Sequence, residues 1–224
     1  MKKFFIVFFM VAAGIAPVVA QSSAAFTAGH RWSVNLHGGP DFNWDKYYSN
    51  NEYLQIANPG FDYNVDLSLI LRVTNTVRFR IDGGYSEMSF GWKPNPEHGA
   101  YAFRKAEMSL FLLNFAPRVD VKLLTLGNFD MFVSPGFFQE FVLGNDQLTT
   151  KTDGTTSWRS SYVKTDYHRH TAGAVLGAVV KYNVTRHLGL TFNPDYIRFM
   201  NKLYKKNSGD MQRFRLNLGV EWTI

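Results

Sequence analysis

The chain contains no cysteine. That excludes disulfides and excludes lipid attachment of the lipoprotein kind. Beyond its first residues it has no apolar run approaching the roughly 20 residues that a spanning helix needs, which excludes a helical inner-membrane protein. No basic helix or aromatic-interleaved basic patch occurs, so nucleic acid is not an expected partner. Self-similarity at a solenoid period and a domain-dividing linker are also missing. Formal charge is +6, with 24 Lys+Arg against 18 Asp+Glu scattered along the chain. Attraction to an anionic surface is the most that this mild excess implies.

Aromatic residues are what the chain has in abundance: 20 Phe, 11 Tyr and 5 Trp in 224 residues. The first twenty positions have their own logic. Met1-Lys2-Lys3 is a short positive segment, Phe4 to Ile15 is apolar, and Pro17-Val18-Val19-Ala20 supplies a break and small residues. This pattern predicts a secretory signal peptide over 1–20, cleaved after Ala20. The apolar stretch is shorter than a spanning helix requires, so an uncleaved anchor is the weaker reading.

The remaining residues, 21–224, alternate. From Met211 to Ile224, Phe214, Leu216, Leu218, Val220, Trp222 and Ile224 hold one parity, while Arg213, Arg215, Asn217, Gly219, Glu221 and Thr223 hold the other. Period 2 means a strand with one apolar and one polar face. At this length it suits a tilted membrane strand of about 9–11 residues with an interfacial aromatic. The same alternation predicts strands near 31–42, 61–73, 77–86, 107–122, 129–143, 171–183 and 188–199. It is clear around Asp62-Tyr63-Asn64-Val65-Asp66 and Arg78-Phe79-Arg80-Ile81-Asp82. It fades at Leu110 and Leu112, apolar beside apolar Phe111 and Leu113, and in 129–143, where Phe occurs in both parities. Pro117, Pro135 and Pro194 fall inside predicted strands, where bulges are expected because proline cannot donate to a ladder.

Predicted connections are short near 74–76, 124–128 and 184–187, and long near 43–60, 91–106, 144–170 and 200–210. Short turns at one end and long loops at the other mark an outer-membrane barrel, and backbone groups in lipid demand closure. The fold expected is all-β, an eight-stranded antiparallel up-and-down transmembrane barrel, with both termini periplasmic. A soluble lipocalin-like barrel also alternates, apolar inside and polar outside, and parity alone does not separate the two. Long Leu/Val/Phe faces, aromatics near strand ends (Trp32, Tyr63, Tyr85, Trp92, Tyr182, Tyr196, Trp222) and the loop asymmetry favour lipid.

An eight-stranded lumen is just wide enough for its own side chains. The inward set predicted here is Asp62, Asp66, Arg72, Arg78, Arg80, Asp82, Arg118, Asp120, Arg213, Arg215 and Glu221. Buried charges must pair, so these are expected to cross-link as a salt-bridged plug. Candidates for other chemistry are few. Asp166, His168 and His170 share a face in an extended chain and have metal-ligating side chains, but read better as solvated loop residues. His30, His37, His98 and His187 show no Ser partner in sequence for a nucleophile–base pair. Asn183-Val184-Thr185 matches a glycosylation pattern but falls in a predicted short turn. The expectation is no enzymatic activity, no cofactor and no bound metal. The stretch 145–162, polar and rich in Thr and Ser, is expected to be the most mobile and exposed.

The strand Trp32-Ser-Val-Asn-Leu-His-Gly-Gly-Pro40, the segment Phe132-Val-Ser-Pro-Gly136 and the terminal Val220-Glu-Trp-Thr-Ile224 resemble the small outer-membrane β-barrel family that includes the PorT-like proteins. The terminal residue is Ile224, where many outer-membrane barrels carry Phe. The resemblance brings no catalytic residues. It implies a Gram-negative cell-envelope protein whose partners are outer-membrane lipid, lipopolysaccharide, the barrel-assembly machinery and other envelope proteins. Its role is structural or interactive, or that of an accessory subunit in secretion or uptake. A lipid-modifying barrel enzyme is the remaining alternative.

Overall fold

A computed structural model describes residues 32–45, 54–58, 61–94, 103–161, 169–201 and 211–224. Every described element is a β-strand: β1 (Trp32–Asp45), β2 (Leu54–Asn58), β3 (Phe61–Arg72), β4 (Val77–Pro94), β5 (Phe103–Leu126), β6 (Phe129–Lys151), β7 (Thr156–Ser161), β8 (His170–Asn183), β9 (Leu188–Phe199) and β10 (Met211–Thr223). Eight of them close a ring in the order β1, β3, β4, β5, β6, β8, β9, β10 and back to β1, each antiparallel to its neighbours. The predicted signal peptide and the segments 95–102 and 162–168 lie outside the described residues.

The closing seam pairs Ser33 with Thr223 and Leu36 with Val220, and the Ile224 amide donates to the Trp32 carbonyl at 2.8 Å. Its lumen side is pinned by a hydroxyl–hydroxyl bond, Ser33 to Thr223, at 3.1 Å. Three tight turns share one end of the barrel with the Ser33–Thr223 end of this seam. Two are built around a threonine. Thr74 Oγ1 accepts from the amides of Thr76 and Val77 at 3.1 and 2.9 Å, and Thr185 Oγ1 accepts from those of His187 and Leu188 at 3.2 and 3.0 Å. Threonine does this because its hydroxyl replaces a backbone acceptor within a turn. The third turn is Gly127-Asn128, with Gly127 at φ +57°, the left-handed geometry that glycine adopts without steric cost.

The three prolines do not bulge their strands. On β5–β6 the ladder stops after Phe115–Gln139, resumes in unchanged register at Arg118–Gly136, and skips again before Val121–Val133. Pro117 and Pro135 sit at these gaps. On β8–β9 it stops at Gly177–Asp195 and resumes at Val180–Phe192, with Pro194 in the gap. A strand amide serves only one of its two neighbours, so each proline costs one seam a bond and leaves register intact. The register shifts on β5–β6 lie elsewhere, at Phe103/Lys105, Phe111/Leu112 and Lys122/Leu124.

Strands β4, β5 and β6 run further than the sequence pattern suggests. β5 has 24 residues and β6 has 23, roughly twice what crosses a bilayer. The expected mobile loop 145–162 is largely strand. Asn145–Thr150 pair with β7 in a hairpin whose turn holds Asp153 and Gly154, the latter at φ +85°. Asp153 accepts from both the hydroxyl and the amide of Thr155, at 2.7 and 2.8 Å. Those bonds hold its carboxyl below the usual carboxylate range. Thr and Ser, read as loop residues, are compatible with strands, and Thr favours them. With β2 added to the edge of β4, this sheet stands beyond the ends of β8, β9 and β10 at the long-loop end.

The two faces of the ring are unlike. Leu36, Leu67, Leu69, Phe79, Ile81, Leu113, Phe115, Leu176, Leu190, Phe192, Leu218 and Val220 are all exposed on the outside. Trp32, Trp222, Phe129 and Tyr182 stand nearer the turn end of this belt, with Tyr63 and Tyr196 nearer the loop end. The inside holds the charges. This is the reverse of a soluble lipocalin-like barrel.

Candidate functional site

The lumen is the site that the ring constructs. Of the predicted inward charges, all but one are buried: Asp62, Asp66, Arg78, Arg80, Asp82, Arg118, Asp120, Arg213, Arg215 and Glu221. Arg72 is the correction. It lies half-buried at the turn-end rim and has no carboxylate partner among the described residues. The set also gains members. Asp41, Glu140, Lys181 and Asp195 are buried with the others. Asp195 and Lys181 were on the polar faces of β9 and β8. Glu140 was hidden by the phenylalanines of β6, although the even positions Asp130, Phe132, Ser134, Phe138 and Glu140 form the inward row. Asp41 follows Gly-Gly-Pro, where the alternation of β1 is hard to read.

These side chains form two connected groups. Nearer the turns, Arg78 donates to Asp120 at 2.8 Å and to Glu221 at 3.2 Å, and Lys181 donates to Glu221 at 2.6 Å. Asp120 also accepts from Ser134 at 2.6 Å, whose hydroxyl in turn accepts from Arg80 at 2.9 Å. Arg118 grips Asp195 with both terminal nitrogens at 2.5 and 2.8 Å, while its Nε lies 2.7 Å from Asp82. The Arg fork permits this bridging of two carboxylates; a lysine could not reproduce it. Gly177 supplies the space: a Cβ there would strike the Asp195 carboxylate. Gly84 is equivalent beside Asp66.

Nearer the loops, Arg215 lies 3.2 Å from Asp41 and 3.3 Å from Asp66. Arg213 pairs with Glu140, and its Nε donates to Asn43 at 2.6 Å. Asn43 donates in turn to Asp62 at 2.6 Å, and Asn64 donates to Asp41. Aromatic faces carry the cations. The Arg78 guanidinium lies 3.7 Å over the Phe132 ring and that of Arg215 4.8 Å over Phe138. Contacts of this kind contribute more when water is excluded. The inward phenylalanines that blurred the alternation of β6 are therefore platforms for the lumen arginines.

Above the second group the lumen turns apolar. Met88, Met108, Leu110, Leu112, Phe138, Val175, Ile197, Phe199 and Met211 pack together as one buried cluster. Leu110 and Leu112 are fully buried in it, which resolves the doubt over β5: both of its faces are apolar here, one toward this cluster and the other toward the exterior.

His37 shows what the ring brings together that sequence could not. Its Nε2 lies 2.9 Å from Ser68 Oγ and 4.0 Å from Asp82, all three buried in the lumen. In a nucleophilic triad the acid holds the opposite ring nitrogen from the one facing serine. Here serine and carboxylate share Nε2, so the acid does not orient the imidazole for proton transfer. His187 Nδ1 lies 3.2 Å from the Thr223 carbonyl beside a turn. His170 is exposed and packs on Phe141, with ring centroids 4.9 Å apart. Asp166, His168, His30 and His98 lie outside the described residues.

No protein-family profile matches the chain, and no curated protein sequence matches it. Solved structures do match in fold. Neisserial surface protein A shares 13% identity at a TM-score of 0.51, covering 86% of this chain and 97% of its own. A major outer membrane protein from Thermus thermophilus shares 11% at 0.51, covering 87% and 100%. The outer membrane protein OprG from Pseudomonas aeruginosa shares 9% at 0.50, covering 88% and 99%. At these identities the likeness is one of fold, the eight-stranded antiparallel barrel.

Proposed function

We propose that the chain is a small integral outer-membrane barrel protein that works by structure and interaction, not by catalysis, with a lumen closed by its own side chains. One observation carries this reading: the barrel is inverted, with large apolar side chains exposed around its outside and ion pairs buried within. In water that belt would be a large unfavourable surface; in lipid it is the solvent-matched face. The loop end faces outward and both termini face the periplasm. Lipid and lipopolysaccharide contact the belt, and the barrel-assembly machinery inserts it. Asp82, Asp120, Asp195 and Glu221 with their cations fill the turn side of the lumen, and the pairs of Arg213 and Arg215 with the Leu110–Leu112 cluster fill the loop side, leaving no path for solutes.

The protein should fractionate with outer membranes, show heat-modifiable gel mobility and give no steady conductance in planar bilayers. An epitope inserted at Asp153-Gly154, an exposed turn, should bind antibody on intact cells. Recovery in the soluble periplasm would end the membrane reading; labelling only after lysis would invert the orientation.

The sheet of β2, β4, β5, β6 and β7 favours a second role, as an accessory subunit of a secretion or uptake complex, as the PorT-like resemblance implies. Its edge strand β7 presents Trp158, 65% exposed. Co-isolation of a larger envelope complex with the wild type, reduced by Trp158→Ala, is the expected result. Lipid A of unchanged mass in a deletion strain would set aside the lipid-modifying alternative.

A further inference from the structure

The turn end of the lumen opens into a cavity of about 580 Å³. Five cations line it, Arg72, Arg78, Lys122, Lys181 and Arg186, against a single carboxylate, Asp130. Asp130 binds Lys122 at 2.8 Å. Beneath the cavity Asp120 and Glu221 bind Arg78, and Glu221 also binds Lys181. Three carboxylates thus answer five cations, and the two cations in excess are identifiable. Arg72 and Arg186 have no carboxylate partner among the described residues. Elsewhere in this lumen each buried arginine lies against at least one acid, so the imbalance is local to the mouth.

We propose that this mouth is a binding site for a dianionic phosphate group, held between Arg72 and Arg186 above the paired Arg78 and Lys181. Two unanswered positive charges match the charge of a phosphate monoester, and guanidinium forks match its oxygens. Low-dielectric barrel walls focus the field of the cations into the opening. Neutral residues extend the cradle: Asn75, Asn128 and Thr185 line the same cavity. Its volume lies in the range of small-molecule sites, larger than a bare phosphate needs, so the group bound carries a substituent such as a sugar. A soluble phosphorylated metabolite and a lipid headgroup with a terminal phosphate present the same chemistry. The assignment holds whichever compartment the mouth faces, because it rests on charge and cavity and not on orientation.

The test uses the full folded barrel in non-ionic detergent, its fold checked by heat-modifiable mobility. Calorimetric titration with glucose 6-phosphate should show saturable one-to-one binding that weakens as salt rises from about 0.1 to 0.5 M. The double variant R72Q/R186Q should bind at least tenfold more weakly, and R186Q alone should fall between. Neither residue holds an ion pair of the lumen, so both variants should fold. R104Q, an exposed arginine near the other end of the barrel, should bind as the wild type does. A second arm titrates the same proteins with mixed micelles containing phosphatidic acid. Binding of the sugar phosphate assigns a soluble ligand, and binding of the phosphatidic acid alone assigns a headgroup; either, lost in the double variant, supports the site. No saturable binding of either probe, or equal binding by wild type and R72Q/R186Q, overturns it.

Discussion

The two halves of the lumen solve one packing problem by opposite means. Toward the turns, β4, β5, β9 and β10 send arginines and carboxylates inward, and the space fills with ion pairs such as Arg118 with Asp82 and Asp195. Toward the loops, β4, β5, β6 and β9 send Met88, Leu110, Leu112, Phe138 and Phe199, which pack as an apolar cluster against the Arg213–Glu140 pair, with Arg213 5.9 and 5.5 Å over the Phe138 and Phe199 rings. The difference teaches that a polar-in pattern is not what makes a lumen. Any inward set suffices if it packs and its polar groups find partners. The halves should differ in how they fail: an ion-paired region is damaged by removing one partner, an apolar one by removing volume.

The largest effect should come from Arg118→Met. It leaves Asp82 and Asp195 buried without their shared partner, a loss of roughly 3–5 kcal/mol. The measurement is reversible urea unfolding in lipid vesicles. If adding Asp195→Asn restores nothing, the pair is not coupled as its geometry states. Next, Leu218→Arg puts a charge on a lipid-facing side chain that is 69% exposed, at a cost of roughly 2–4 kcal/mol near mid-membrane. Asn217→Ser, one residue away on the lumen side, should lose less. Equal losses would mean that β10 does not face lipid.

In the apolar half, Leu110→Ala should cost about 2 kcal/mol or more through lost contacts and a residual cavity. Leu110→Met, which keeps the volume, should cost under about 1.5 kcal/mol. A similar loss in both would argue that this half is loosely filled. The smallest effect concerns the projecting hairpin. Asp153 has its pKa depressed by the Thr155 hydroxyl and amide, so its contribution is present above the unfolded carboxylate value and is lost as pH falls through the folded one. Once pH falls below the usual carboxylate value of about 4 and through the lower folded one, protection of the Thr155 amide relative to its intrinsic exchange rate should drop, and Asp153→Asn should remove that pH dependence while leaving the barrel intact.

Strands were legible wherever one face was apolar and the other polar, as in β3, β9 and β10, because side-chain alternation is a local property of extended chain. The pattern was obscured where the lumen itself is apolar, at Leu110 and Leu112, and where Phe132 and Phe138 carry arginines. Both are demands of the interior, set by strands far away in sequence. The continuation of β6 past Leu143 was illegible for another reason. Gln147, Thr149 and Thr150 suit a loop and a solvated strand equally, and only pairing with β7 decides between them.

Period 2, the three tight turns and the positions of the charged residues are consequences of the sequence alone, since each depends on neighbours a few residues apart. Which face of every strand points inward is not. Alternation creates two faces, and a barrel can be closed with either inside. The choice was made by contacts across the ring: Arg118 with Asp195 are 77 residues apart, and Arg78 with Glu221 are 143 apart. Glycines at Gly84 and Gly177 leave room for such charges to converge, while no comparable pairing exists for the leucines on the other face. A buried charge is tolerated only beside its opposite, and that opposite lies on a strand that closure alone brings near.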